Sequence, residues 1–173
     1  LAGGQAKFAL HRRQDGTWAQ SLGATPTTHI IKPGIDGLHD QALNEHVCLV
    51  AAKRLGLAAS TSEYIEFDGQ PAIVVERYDR IRRPTGELLR VHQEDLCQAL
   101  SIAPENKYEA DGGPRSATVL RLLESHADPE ESWGFVQSQV FNYLIGGTDA
   151  HGKNLSLLLV GSSVQLAPLY DVA

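Results

Sequence analysis

Over the first 76 positions, apolar and polar residues alternate in short stretches broken by turn-forming dipeptides. Phe8 to Leu10 and Trp18 to Ala19 flank Gln14-Asp15-Gly16, which predicts a β-hairpin. Thr28-His29-Ile30-Ile31-Lys32 is rich in β-branched residues and stops at Pro33-Gly34, which predicts a strand. Tyr64 to Phe67 and Ala72 to Val75 are joined by Asp68-Gly69-Gln70-Pro71, a second hairpin signal. One helix is predicted between these strands, over Asp40 to Leu55. Leu43, Val47, Val50, Ala51 and Leu55 supply its apolar stripe, and Gly56 closes it. Glu45 falls on the opposite side of that wheel, beside Cys48, Leu49 and Ala52. A carboxylate in such company either faces water or meets a cation.

The second half reads as mostly helical. Helices are predicted over Gln93 to Leu100 and Thr118 to Ser125, with a charged, Gly-rich loop from Pro104 to Pro114 between them. Asp128-Pro129-Glu130-Glu131 combines an N-cap, a first-turn Pro and acids, a strong helix start. Trp133, Val136, Val140, Tyr143 and Leu144 then give a stripe expected to be buried, ending at Gly146-Gly147. Leu155 to Val160 and Val164 to Ala167 read as a hairpin around Gly161-Ser162-Ser163. The expectation is an α+β chain, with a strand-rich lobe over residues 1–76 and a helical lobe over 77–173. Such an order, with polar chemistry just after a long helix, is the plan of a two-lobed kinase. The crossing segment Val74-Val75-Glu76-Arg77-Tyr78 is then expected to offer unpaired backbone groups to adenine.

Composition narrows the function classes. Apolar residues make up 42% and charged residues 21% of 173 positions, which fits a folded domain rather than a disordered one. The net charge of −6 argues against a sequence-blind nucleic-acid binder, whose affinity rests on neutralising phosphates. Cys48 and Cys97 lack any paired spacing, so neither a zinc ribbon nor a disulfide framework is expected. No apolar run approaches a membrane span and Leu1-Ala2-Gly3-Gly4 is not a secretory signal, so the expected location is the cytosol. Arg77, Arg80, Arg82 and Arg83 form a local basic cluster, either a solvated hairpin rim or a docking patch for an acidic partner.

The chemistry concentrates in Gly146-Gly147-Thr148-Asp149-Ala150-His151-Gly152-Lys153-Asn154 and, after the predicted hairpin, in Pro168-Leu169-Tyr170-Asp171-Val172. Phosphoryl transfer from a magnesium nucleotide needs a carboxylate to take the attacking hydroxyl's proton. It also needs an amide oxygen and a second carboxylate on metal. Asp149, Asn154 and Asp171 match that order, and the Asp-to-Asn spacing equals that of the protein-kinase catalytic loop, although no His-Arg-Asp precedes it. Lys32 at a strand end and Glu45 on the next helix match a strand-lysine and helix-glutamate pair that places nucleotide phosphates. Ala2-Gly3-Gly4-Gln5-Ala6-Lys7 is a small-residue stretch able to close on phosphate, without the Walker or kinase Gly pattern. The remaining histidines show no metal-ligand spacing.

These segments together resemble the HipA family of bacterial serine/threonine kinases, the toxin half of HipBA-type toxin–antitoxin modules. The resemblance runs through Ala2 to Lys7, Thr28 to Pro33, Asn44-Glu45, Val75 to Arg80, Gln93 to Gln98, Thr148 to Asn154 and Pro168 to Val172. It implies a kinase-like two-lobed fold using ATP and Mg²⁺, with Asp149 as catalytic base and Asn154 and Asp171 on metal. It implies Lys32 and the Ala2-to-Lys7 loop on phosphates, Glu76, Arg77 and Tyr78 at adenine, and His151, Gly152, Lys153 and Tyr170 completing the nucleotide site. A protein substrate follows, with a translation factor such as an aminoacyl-tRNA synthetase as the best-known kind. So does growth arrest with persistence, restrained by a helix-turn-helix, HipB-like antitoxin through which DNA is met only indirectly. Gly147 stands where Asn is common in the family and Leu155 where Phe is common. Family members are longer at both ends, so the chain is expected to be the middle of a larger protein, and the serine that members autophosphorylate falls ahead of Leu1. Two other readings are carried: a small-molecule kinase of related fold, and a catalytically silent kinase-like module that binds an antitoxin.

Overall fold

A computed structural model describes residues 5–35, 37–38 and 40–173. The fold is mixed α+β, as expected. The chain divides into two compact units: Leu1–Ala51 with Ser60–Arg90, and Ala52–Ala59 with Val91–Ala173. The sequence places one cut at residues 76 and 77. Here the first unit extends to Arg90, and residues 52–59 group with the second.

The first unit is built on a five-stranded antiparallel sheet in the order β2-β1-β3-β5-β4. Its strands are β1 (Phe8–Arg12), β2 (Trp18–Ala19), β3 (His29–Pro33), β4 (Ser62–Phe67) and β5 (Gln70–Glu76). Both predicted hairpins form. The β4–β5 turn is a two-residue link, Asp68 and Gly69, with φ of 48° and 83°. Positive φ at both central positions matches the right-handed strand twist, and only Gly, Asn or Asp adopt it readily. β5 lies inside the sheet between β3 and β4, and its Ala72, Ile73, Val74 and Val75 are all buried. Ile31 lies opposite Val74, and Lys32 opposite Ile73. One sheet face therefore holds the cluster of Ile31, Ala72 and Val74, packed by Leu10, Trp18, Ile65 and Phe67. The other face carries Lys32.

Helix α1 (Gln41–Arg54) sits where predicted but buries a different stripe. Ala42, Glu45, Leu49 and Ala52 are buried, whereas Leu43, Val47 and Leu55 are exposed. Its apolar residues are scattered around the helix with polar ones among them, so periodicity alone could not choose its inner face. The choice follows from Glu45, which meets Lys32 of β3, and from His46, whose Nδ1 lies 2.9 Å from Ser62 Oγ on β4. A short hairpin, β6 (Arg80–Arg82) with β7 (Leu88–Arg90), completes the unit.

The expected basic cluster is largely satisfied within this unit. Asp79 takes two hydrogen bonds from Arg77, at 3.0 and 2.7 Å, and one from Arg80 at 2.8 Å. Arg83 pairs with Glu87. Burial works to raise the pKa of Asp79, but the hydrogen bond and charge of Arg77 and the charge of Arg80 outweigh it and hold the carboxyl below its ordinary value.

The second unit has a three-stranded antiparallel sheet, β10-β9-β8, and three helices. Its strands are β8 (His92–Asp95), β9 (Ser156–Val160) and β10 (Ser163–Leu166), and its helices are α2 (Leu96–Ala99), α3 (Ser116–His126) and α4 (Pro129–Leu144). The helix predicted over Gln93 to Leu100 is thus a strand followed by one helical turn. Gln93 and Glu94 pair with Leu158 and Leu157 of β9. Asp95 ends the strand and caps α2, with a reciprocal Asp95–Gln98 capping box.

Leu96, Val119, Leu123, Phe135 and Leu157 form this unit's core. Each fully buried side chain of that size contributes roughly 1.5–3 kcal/mol. The expected α4 stripe is corrected as well. Phe135, Ser138 and Phe141 are buried, while Trp133 is 63% and Tyr143 85% exposed. Ser138 can enter the core because its hydroxyl donates to Phe135 O at 2.6 Å. Among the described residues no helix is long and apolar enough to cross a membrane.

Candidate active site

Helix α4 ends in a Schellman turn. Gly147 N donates to Asn142 O at 2.9 Å and Gly146 N to Tyr143 O at 3.2 Å, with Gly146 at φ 70°. A Cβ at Gly147 would meet the Asn142 side-chain amide, so a larger residue there requires that amide to swing aside. The chain then runs without regular structure through Asp149 and turns at His151, whose carbonyl accepts from Asn154 N at 2.9 Å. Gly152 is fixed by packing: a Cβ would lie 2.6 Å from Pro114 Cγ and 3.1 Å from Cys97 Sγ. Burial, followed by the Asp95 carboxylate, pushes the Cys97 thiol up, so this buried cysteine stays protonated.

The β9–β10 hairpin returns the chain to this loop. Asn154 Nδ2 donates to Asp149 O at 3.0 Å and to Asp171 O at 3.3 Å. One amide therefore ties together both acid-bearing segments, and its NH₂ group is engaged by carbonyls, which leaves Oδ1 as an acceptor able to hold a cation. Asp171 has φ 55°, in the left-handed region. Asp149, Asn154 and Asp171 line one pocket of about 110 Å³ with His151, Ser138 and Asn142.

Lys153 is engaged within the second unit. Its ammonium pairs with Asp95 at 2.5 Å, both side chains being largely buried. Tyr170 also binds within the unit: its hydroxyl donates to Lys153 O at 2.7 Å and lies 2.6 Å from Ser156 Oγ. Ser156 Oγ accepts from Gln93 Nε2 at 3.1 Å. The direction of this chain is Gln93 to Ser156 to Tyr170 to Lys153, and it joins β8, β9 and the Asp171 segment to the loop. Burial pushes the Tyr170 phenol well above its ordinary range, so it acts as a permanent donor.

His151 Nε2 lies 2.8 Å from Lys107 Nζ. A lysine ammonium only donates, so Nε2 accepts from it, while the Lys153 amide is directed at Nδ1 at 3.3 Å. Burial first, then the Lys107 charge, hold His151 below the usual histidine pKa, so the ring is neutral near pH 7. Tyr108, next to Lys107, donates its hydroxyl to Asp149 Oδ1 at 2.7 Å. Lys107, Tyr108 and Asp95 are not among the expected site residues. The first two lie in a loop without periodicity, and Tyr108 meets Asp149 across 41 positions.

In the first unit, Lys32 and Glu45 meet at 2.6 Å, with side chains 7% and 1% exposed. Of the expected phosphate loop, Ala2, Gly3 and Gly4 lie outside the described residues. Gln5 donates through Nε2 to Pro33 O at 2.9 Å, beside the strand that carries Lys32. Ala6 is exposed and Lys7 half-buried. Glu76 ends β5, and its amide donates to Thr61 O while that of Arg77 donates to Thr28 O. These two amides are therefore bonded rather than open, unlike the expected strand edge, and the Arg77 guanidinium is held by Asp79. Tyr78 is half-buried.

The model of the HipA-like C-terminal domain family matches residues 1–173. Y4mE of Sinorhizobium fredii, named as a candidate kinase, is 39% identical over 174 residues, covering 99% of this chain and 41% of that protein. The serine/threonine-protein kinase toxin HipA of Shewanella oneidensis is 32% identical over 186 residues, covering 99% of this chain and 42% of that one. The chain thus spans less than half the length of these curated relatives. Among solved structures, the Shewanella oneidensis HipA complex with HipB and its operator DNA superposes with a TM-score of 0.85 at 31% identity, covering 100% of this chain and 43% of that one. The Helicobacter pylori proinflammatory kinase CtkA gives a TM-score of 0.63 at 14% identity over 94% of this chain and 57% of its own, a likeness of fold alone. The fold is kinase-like.

Proposed function

Because the chain belongs to the HipA-like C-terminal domain family, we propose that the full-length protein is an ATP-dependent serine/threonine protein kinase of the toxin type. The observation that carries this reading is the Asn154 amide bridging the backbones of Asp149 and Asp171 in one pocket. Asp149 is the general base: it takes the proton of the acceptor hydroxyl as that oxygen attacks the γ-phosphorus and the bond to the ADP oxygen breaks.

Asn154 Oδ1 and the Asp171 carboxylate are hard oxygen donors and fit Mg²⁺, which takes one or two carboxylates together with substrate phosphates. When bound, the ion neutralises charge developing on the phosphates. Lys32, oriented by Glu45, and the stretch from Ala2 to Lys7 take the phosphates, and Glu76 to Tyr78 the adenine. His151 and Gly152 shape the wall beside Asp149. Lys153 and Tyr170 serve by holding the loop, since both polar ends are engaged inside the unit.

A HipB-like antitoxin is the proposed partner, with DNA reached through it, because the HipA to which this chain is similar was solved with HipB and operator DNA. The proposed acceptor is a Ser or Thr of a translation-related protein, with growth arrest as the outcome.

The test uses full-length protein, labelled ATP and a whole proteome as acceptor. Wild type should label protein, and Asp149→Asn should lower the rate at least ~100-fold, as expected for loss of a general base. Equal labelling by the variant, or transfer to small metabolites with none to protein, would overturn the reading.

A further inference from the structure

We propose that Tyr108 is a positioning residue that orients the general base, an inference that rests on the kinase reading of the same site. Asp149 is exposed and lies on an irregular segment, where a carboxylate turns freely about two side-chain bonds. Asn154 fixes only its main chain. The Tyr108 hydroxyl fixes the side chain, donating to Oδ1 at 2.7 Å. A carboxylate has lone pairs on both oxygens, so one bond at Oδ1 leaves Oδ2 for the acceptor hydroxyl. A base held by a third group is the general arrangement by which nucleophiles are activated.

The loop that delivers Tyr108 is built for it. Gly113 N and Asp111 N both donate to Tyr108 O, at 2.8 and 3.1 Å. A Cβ on Gly113 would lie 2.5 Å from both Tyr108 O and Asn106 O, so only glycine lets the loop close this tightly. Lys107 O accepts from Gly152 N at 2.9 Å, which pins the loop to the segment carrying Asp149. The ring is held on two further sides. Lys107 Nζ lies 4.8 Å from its centroid, and the His151 ring meets it edge-on at 5.2 Å. The hydroxyl therefore reaches Asp149 from a fixed ring.

Steady-state transfer by full-length protein is measured for wild type, Tyr108→Phe and Tyr108→Leu, alongside Mg-ATP affinity and thermal stability. Tyr108→Phe keeps the ring and loses only the donor. It should lower kcat about tenfold, a cost of about 1.4 kcal/mol, with KM for ATP, Mg-ATP affinity and melting temperature unchanged. Tyr108→Leu should lose at least as much kcat and also some stability. A Phe variant with wild-type kcat would reduce Tyr108 to ring packing and overturn the proposal. So would a Phe variant that loses nucleotide affinity and kcat together, or one that is faster, with the hydroxyl then an obstacle to the acceptor. Absence of transfer by the wild type overturns the kinase reading and this inference with it, whereas active wild type with an unchanged Phe variant overturns this inference alone.

Discussion

Gly152 shows how a residue can belong to an active-site motif for steric reasons. Its place between Pro114 and Cys97 leaves no space for a methyl group. Gly152→Ala should destabilise the protein by about 1–3 kcal/mol through forced displacement of the loop, measured by denaturant unfolding, and transfer activity should fall with it. Wild-type stability in that variant would mean that Pro114 yields without cost. Asp149, Asn154 and Asp171, which line one pocket, were legible in the sequence because their spacing matches the order that phosphoryl transfer uses. Tyr108 was not, because a phenol that orients a carboxylate from a distant loop leaves no local pattern. Lys153 was legible as part of the motif, yet its partner Asp95 was hidden in a segment that reads as helix.

At the scale of elements, the hairpins marked by turn dipeptides were read well, whereas β8 was read as helix and helix faces were read poorly. Turn chemistry is local: Asp68-Gly69 takes the positive φ pair that a two-residue hairpin needs. Faces are set by what lies opposite, and both α1 and α4 carry apolar residues on more than one side. On α1 the inner side is chosen by an ion pair between Glu45 and Lys32, which no hydrophobicity pattern would rank first.

The β8–α2 junction makes a sharper prediction. Asp95 there both caps α2 and receives Lys153. Asp95→Asn retains a capping oxygen but not the charge, and Asp95→Ala loses both. The Ala variant should lose at least ~1 kcal/mol from the cap alone, with Asn between it and wild type. Thermal unfolding of the three proteins checks the order. Equal loss in Asn and Ala would assign the whole effect to the ion pair.

Across the whole molecule, the chain groups into two compact units whose borders depend on contacts that no local signal reports. Residues 52–59 follow α1 in sequence and yet join the second unit, where Leu169 N donates to Ala58 O at 2.9 Å. Global stability also carries an acid dependence that can be assigned. The folded-state pKa of Asp79 lies below the ordinary 3.8 because Arg77 and Arg80 outweigh its burial. Its contribution is therefore present above about pH 3.8 and is lost as pH falls through the lowered folded value. Asp79→Asn should be less stable than wild type at pH 7, and the gap should close on acidification below pH 4. Parallel stability curves down to pH 2 would exclude Asp79 as the titrating group.

The left-handed backbone at Asp171 has a practical corollary for anyone dissecting magnesium dependence. Only Gly, Asn and Asp visit that conformation cheaply, so an alanine scan would mix conformational strain with the loss of the carboxylate and report their sum. Asparagine alone removes the negative charge while leaving size and main-chain geometry in place, which makes it the clean probe of whether the carboxylate matters as a charge or as a shape.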